Sequence, residues 1–177
     1  HDNDPKYIKV LDILNNGALE NDKPWKESGC IVFSQYYDSA YFIAEKLSKD
    51  LPNDIIGLYA GGDKSGYFSD GSFYKDTKDS IKIKVKNNEI KILVGTDAAS
   101  EGLNLQTLST LINLDLPWNP TRLEQRKGRI QRIGQVAPKV KIFNMRYKDS
   151  VEDKVHSVLS ARLKNIKDMF GQIPDTL

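Results

Sequence analysis

Residues 121–135, TRLEQRKGRIQRIGQ, carry the reading on which the fold depends. Asn119-Pro120 precedes them, and proline suits a first helical position because its missing N–H has no intrahelical partner there. Thr121 and Glu124 have capping-box spacing, so a helix is expected to begin within a residue or two of Thr121 and to stop at Gly134. On that helix Gln125, Gly128, Arg129 and Arg132 recur at i, i+3, i+4 and i+7 and share one face. Two of the four are arginines, whose planar fork matches phosphate, and Gly128 admits a close backbone approach. Between Arg122 and Arg132 there are five basic residues and one acid. A solvated basic helix is the plain alternative, but a helix needing only solubility would interleave acids among its bases. This face is built to hold an anion.

The same residues resemble the Q-x-x-G-R-x-x-R motif of superfamily 2 helicases and translocases, their sixth conserved motif. The trailing Arg132-Ile133-Gly134-Gln135 is similar to the R-I-G-Q ending of the Swi/Snf-type branch. Residues 95–105, GTDAASEGLNL, resemble motif V of that superfamily, and they lie some 20 residues upstream, where that motif belongs. By their chemistry alone these residues form a strand end and a glycine-containing turn, where open α/β sheets place ligands. An ordinary β–α connection would have the same composition. Ile31 to Gln35, IVFSQ, resembles motif IV, and 115–120, DLPWNP, resembles the W-N-P segment of Swi/Snf-type proteins. Trp118 is either an exposed ring for a partner lobe or nucleic acid, or a residue buried under its loop. Together SEGLN, DLPWNP and LEQRKGRIQRIGQ look most like the bacterial RapA-type branch. Glu101, Asp97 and Gln131 depart from many eukaryotic relatives, which bears on the subfamily and not on the motor class.

At 177 residues the chain is long enough for one well-buried core and too short for two ordinary ones. Its 39% hydrophobic and 28% charged residues fit a globular domain and exclude a disordered one. A net charge of +2 is too small to argue for nucleic-acid binding, so such an argument rests on local clustering. Cys30 is the only cysteine, which excludes an intrachain disulfide; in the run CIVF it is expected to be a buried, inert thiol. No apolar run approaches transmembrane length and no signal-peptide pattern is present, so a cytoplasmic, nucleoid-associated prokaryotic protein is expected. The chain opens at His1 and not at Met, and it is expected to be a segment of a longer protein.

Apolar runs alternate with helical stretches, which predicts βα units around a mostly parallel sheet. An amphipathic helix is expected over 4–15, with Ile8, Leu11 and Leu14 on its apolar side and Gly17 closing it. Strands are expected over 31–34, 55–60, 92–94, 111–116 and 140–145. A helix with the stripe Ala40, Ile43, Ala44 and Leu47 is expected to end before Pro52. Residues 61–71 read as a loop. Lys64-Ser65 there is not a P-loop, because Asp63 separates Gly62 from Lys64. In 76–88 Ile81, Ile83 and Val85 alternate with lysines, which by period alone describes a strand with Asn87-Asn88 as its turn. The family resemblance implies a helix at this place, and a helix is expected. A long helix is predicted over 151–169, with Val155, Val158, Leu159, Leu163 and Ile166 on one side. These elements divide the chain into an N-terminal helix and connection (1–28), a helicase C-terminal domain (29–150) and a helical extension (151–177). The resemblance implies a RecA-like three-layer α/β/α fold.

Superfamily 2 motors work at a cleft between two RecA-like lobes, and the first lobe carries the P-loop and the D-E-x-[HD] acid pair. Neither is present here, and no Asp-Glu dipeptide occurs in the chain. The resemblance therefore implies the second lobe, with Arg132 as principal arginine finger and Arg129 beside it. Gln125, Glu101, Gly102 and Asn104 are implied to face nucleotide. Thr96, Ser34, Gln35, Trp118 and Lys64 are implied to face nucleic acid, while Arg122 and Arg126 point away from the finger face and suit structural ion pairs. ATP and Mg²⁺ are the implied cofactors, held mainly by the first lobe, and this chain is expected to hold no metal of its own. The implied partners are duplex DNA, that first lobe and a protein cargo such as a transcription or defence complex, with no membrane. Two other readings stand beside this one: a non-catalytic RecA-like module docking onto a protein or RNA, and an RNA helicase lobe.

Overall fold

A computed structural model describes residues 4–17, 29–97, 108, 110–115, 121–122, 125–126 and 141–145, together with residues 154, 157–158 and 161. In chain order the elements are α1 (Pro5–Asn16), β1 (Cys30–Ser34), α2 (Tyr37–Asp50), β2 (Ile56–Tyr59), β3 (Gly66–Ser69), β4 (Ser72–Lys75), α3 (Lys78–Lys86), β5 (Ile92–Thr96), β6 (Thr110–Asn113) and β7 (Lys141–Asn144). The strands form one seven-stranded sheet in the order β4-β3-β2-β5-β1-β6-β7. β2, β5, β1, β6 and β7 run parallel, and β3 and β4 add an antiparallel edge.

Every residue of β1, β2, β5 and β6 is buried, the pattern of strands covered on both faces. Alternate side chains divide between two cores, because successive residues of a strand point to opposite faces. Cys30, Val32, Ile92 and Val94 join α1 and α2 on one face. Ile31, Phe33 and Leu93 join Ile81 and Val85 of α3 on the other. Helices on both faces of a mostly parallel sheet make the three-layer α/β architecture expected from the sequence.

The predicted stripe of α2 is the observed one: Ala40, Ile43, Ala44 and Leu47 are all buried. α1 also forms, with Asp4 accepting a hydrogen bond from the Lys6 N–H at its start and Gly17 closing it at φ 75°. Its buried face is rotated from the expected one. Tyr7, Val10, Ile13 and Leu14 face the core, Leu11 is partly buried and Ile8 is 51% exposed. Two side chains set that rotation: the Tyr7 hydroxyl donates to the Asp50 carboxylate, and the buried Lys6 ammonium donates to the Leu114 carbonyl at 2.7 Å.

The expected loop over 61–71 is corrected in its second half, which forms the β3–β4 hairpin. Asp70 and Gly71 both have positive φ, 49° and 79°, as a two-residue type I′ turn requires. Gly66 is needed where β3 meets Lys75 of β4, because a Cβ there would run into the Tyr74 carbonyl and lie 2.6 Å from Phe73 Cζ. Residues 78–86 are helical as expected. Thr77 caps the Ser80 N–H, Ile81 and Val85 are buried one turn apart, and Ile83 stays 57% exposed. The predicted helix over 151–169 lies mostly outside the described residues; residues 154, 157, 158 and 161 are helical, and Val158 is 41% exposed.

Candidate nucleotide and nucleic-acid site

Parallel strands bring their C-terminal ends to one edge of the sheet, and here that edge is polar. The last residues of β1, β5, β6 and β7 are Ser34, Thr96, Asn113 and Asn144. Register places Ser34 beside Thr96, Phe33 beside Asn113, and Asn113 beside Asn144. Just beyond the strand ends come Gln35, Asp97 and Asp115. Apolar residues fill the strand interiors and hydrogen-bonding ones their exits, which is where open α/β sheets bind ligands.

One side chain gathers this edge together. Arg126, helical like residues 121, 122 and 125, is 1% exposed. Its Nε and Nη2 donate to the two carboxylate oxygens of Asp97 at 2.6 and 2.7 Å, a bidentate pair. Its Nη1 donates to Asn113 Oδ1 at 2.9 Å and to the Asp115 backbone carbonyl at 2.8 Å. A longer contact of 3.4 Å joins Nη2 to the Asp115 carboxylate. A guanidinium has five N–H donors, and these contacts account for all of them. The ring of Phe33 lies beneath, with its centroid 5.5 Å from the guanidinium carbon. Arg126 therefore has no donor left for an external phosphate, and it makes the structural ion pairs its helical position suggests.

Asp115 carries the network across to β1. It accepts from Ser34 Oγ at 2.6 Å and from the Gln35 N–H at 3.0 and 3.2 Å, and Ser34 Oγ in turn accepts from the Tyr36 N–H. Asn113 Nδ2 donates to Asn144 Oδ1 at 2.8 Å, which extends it to β7. Ser34, Gln35, Asp97, Asn113, Asp115 and Arg126 thus meet in one largely buried, hydrogen-bonded cluster. The segments resembling motifs IV, V and VI and the W-N-P segment supply all of its members but Asn113, and sequence spacing carries no sign that they converge. An arginine on the far side of the motif VI helix, facing acids at two strand ends, was the available signal.

Ser34 and Thr96 are buried at this edge, and the Ser34 hydroxyl is committed to Asp115. Gln35 is partly exposed and Gln125 exposed. Lys64 stands apart from the cluster on the loop before β3, exposed, with its ammonium 4.4 Å from the centroid of the Tyr37 ring. Arg129, Arg132, Glu101, Gly102, Asn104 and Trp118 lie outside the described residues.

Comparison with known proteins agrees with this architecture. The fold is that of RecA-like helicase lobes: the structure superposes on the C-terminal part of the Fun30 ATPase domain with a TM-score of 0.64 and 22% identity, covering 86% of this chain and 43% of that one. It superposes on the Hef helicase domain of Pyrococcus furiosus with a TM-score of 0.60 and 22% identity, covering 90% of this chain and 28% of that one. Residues 9–134 match the model of the helicase conserved C-terminal domain, and the chain belongs to that family. It is 41% identical over 107 residues to the uncharacterized ATP-dependent helicase YqhH of Bacillus subtilis, covering 60% of this chain and 19% of that protein. It is 32% identical over 99 residues to the RNA polymerase-associated protein RapA of Vibrio campbellii, covering 55% of this chain and 10% of RapA. The chain thus spans less than a fifth of the length of these relatives, and it corresponds to the helicase C-terminal domain of an ATP-dependent helicase family that includes Swi/Snf-type members.

Proposed function

We propose that this chain is the second motor lobe of an ATP-dependent translocase that moves along duplex DNA and remodels proteins bound to it. The observation that carries the reading is the run Gln125-x-x-Gly128-Arg129-x-x-Arg132-Ile-Gly-Gln, entering the polar C-terminal edge of the sheet at Arg126. The motif VI resemblance assigns Arg129 and Arg132 to the γ-phosphate, and Arg126, whose donors are spent inside the protein, does not compete for it. They would neutralise charge on the transferring phosphoryl group, a role worth about 10³- to 10⁵-fold where arginine fingers have been measured. ATP–Mg²⁺ in this reading is held mainly by the first lobe, and Gln125, exposed beside the anchored Arg126, approaches it from this lobe. In this reading Glu101, Gly102 and Asn104 approach the nucleotide from the motif V segment. Gln35, Lys64 and Trp118 face the nucleic-acid backbone, while buried Ser34 and Thr96 hold the strand ends that present it. Contacts to phosphate make such binding sequence-independent.

The P-loop and the acid pair are absent from the sequence, so the chain alone is expected neither to turn over ATP nor to bind it tightly. Turnover by a pure preparation, abolished by Arg132→Ala, would contradict this. The test of the function is ATP turnover by the chain joined to the coding sequence that precedes it, with and without duplex DNA. Stimulation by duplex DNA supports the translocase. Stimulation by RNA alone favours an RNA helicase lobe, and turnover indifferent to both favours a docking module. The RapA relatives are RNA polymerase-associated, which makes a transcription complex the first cargo to try.

A further inference from the structure

We propose that Arg126 is a positioning residue that ties the segment carrying the arginine fingers to the motif V segment and to the strand end at Gln35. The inference rests on the reading of this chain as a second motor lobe. Three observations carry it. The guanidinium is buried and fully engaged, so it acts on other protein groups and not on a ligand. Its partners come from two separate stretches of chain: Asp97 opens the segment that continues through Gly102 and Asn104, while Asn113 ends β6 and Asp115, two residues on, holds Ser34 and the Gln35 N–H. Arg126 itself precedes Arg129 and Arg132 by three and six residues. The motif V segment implied to face nucleotide, the strand end at Gln35 implied to face nucleic acid, and the segment that carries Arg129 and Arg132 are therefore tied to one rigid fork.

The energetics favour position over stability as the reason for this cluster. A buried ion pair gains little over well-packed apolar groups, because desolvation offsets the attraction, but its hydrogen bonds specify one geometry. The bidentate pairing with Asp97 is the most restrictive of these contacts, since it fixes the plane of the guanidinium as well as its distance. An arginine finger displaced by about 1 Å can lose on the order of 100-fold in rate.

The experiment uses the full-length ATPase and four variants: Arg126→Met, Asp97→Asn, the two combined, and Arg132→Ala. Arg126→Met leaves buried carboxylates without their cation, so both the melting temperature and kcat should fall. Adding Asp97→Asn removes one orphaned carboxylate and should recover part of the melting temperature. Turnover should not return with it: kcat stays at least tenfold below the native enzyme, with KM for ATP within twofold. Asp97→Asn alone keeps Arg126 bonded to Asn113 and Asp115, so it should remain folded yet lose at least threefold in kcat at unchanged KM. Recovery of kcat in step with stability in the double variant, or native kcat in folded Asp97→Asn, would show the cluster to be purely structural and overturn the proposal. Native turnover in Arg132→Ala would instead remove the motor reading on which it rests.

Discussion

Asp115 offers the sharpest test of the cluster at the strand ends. The residue is 8% exposed, and its carboxylate receives the Ser34 hydroxyl, the Gln35 N–H and a long contact from Arg126. Asp115→Ala removes the acceptor from the hydroxyl and the N–H together. Each orphaned buried donor costs about 1–3 kcal/mol. Arg126 retains Asp97, Asn113 and the Asp115 backbone carbonyl, so its charge stays compensated and adds little. The expected loss is about 3 kcal/mol, a large share of the roughly 5–15 kcal/mol typical of a whole domain. At about 2–4 °C per kcal/mol for a chain of this size, the melting temperature should fall by about 6–12 °C. Asp115→Asn keeps the shape and one acceptor oxygen, and should cost no more than about half as much. Urea titration followed by circular dichroism gives both values, with the m-value unchanged. A loss under about 0.5 kcal/mol for the alanine variant would refute the reasoning, as would equal losses for the two substitutions.

Cys30 lies wholly inside the sheet, and desolvation pushes its thiol above the ordinary cysteine range. It should resist a thiol-specific reagent in the folded chain and become reactive along the same urea curve as the loss of circular dichroism; prompt labelling without denaturant would contradict its placement. The Lys84 ammonium, 2.6 Å from Asp76, holds the Asp76 carboxyl below its ordinary value chiefly through that hydrogen bond, and the Lys84 ammonium is raised in return. A depressed carboxyl stabilises the fold above the unfolded value near pH 4 and loses that contribution as pH falls through the folded value. Asp76→Asn should therefore lower the melting temperature at pH 7, by the equivalent of about 1 kcal/mol or less for so exposed a pair, and the gap should close below about pH 4. A gap that persists at low pH would show that the effect is not electrostatic.

The fold was legible wherever burial follows a simple period. The continuous apolar runs of β1 and β5 and the stripe of α2 mark layers covered on both sides, and they appear in the structure where the sequence puts them. α3 was ambiguous because Ile81, Ile83 and Val85 satisfy a strand's period as well; the helix buries Ile81 and Val85 and leaves Ile83 out. The β3–β4 hairpin was missed because its glycine, serine and aspartate content outweighed a local signal, Asp70-Gly71 between aromatic residues. In α1 the face rotated because two polar contacts, from Lys6 and Tyr7, act across more than 40 residues and leave no trace in periodicity.

Of the candidate site, the motif segments were legible and their meeting point was not. Ser34 and Asp97 lie far in sequence from the stretch that holds Asn113 and Asp115, and only the parallel register brings these strand ends to one edge. Arg126 is expected, together with Arg122, to pair structurally, because its helical position points away from the finger face. That its partners would be Asp97 and Asp115 follows from topology.

A lobe that completes a DNA-stimulated ATPase through Arg132 makes turnover depend on both. ATP turnover by the chain joined to its first lobe, with and without duplex DNA and beside Arg132→Ala, measures that dependence. Duplex DNA should stimulate turnover, and the variant should abolish it while circular dichroism and melting temperature stay unchanged. Turnover indifferent to both duplex DNA and Arg132 would contradict it.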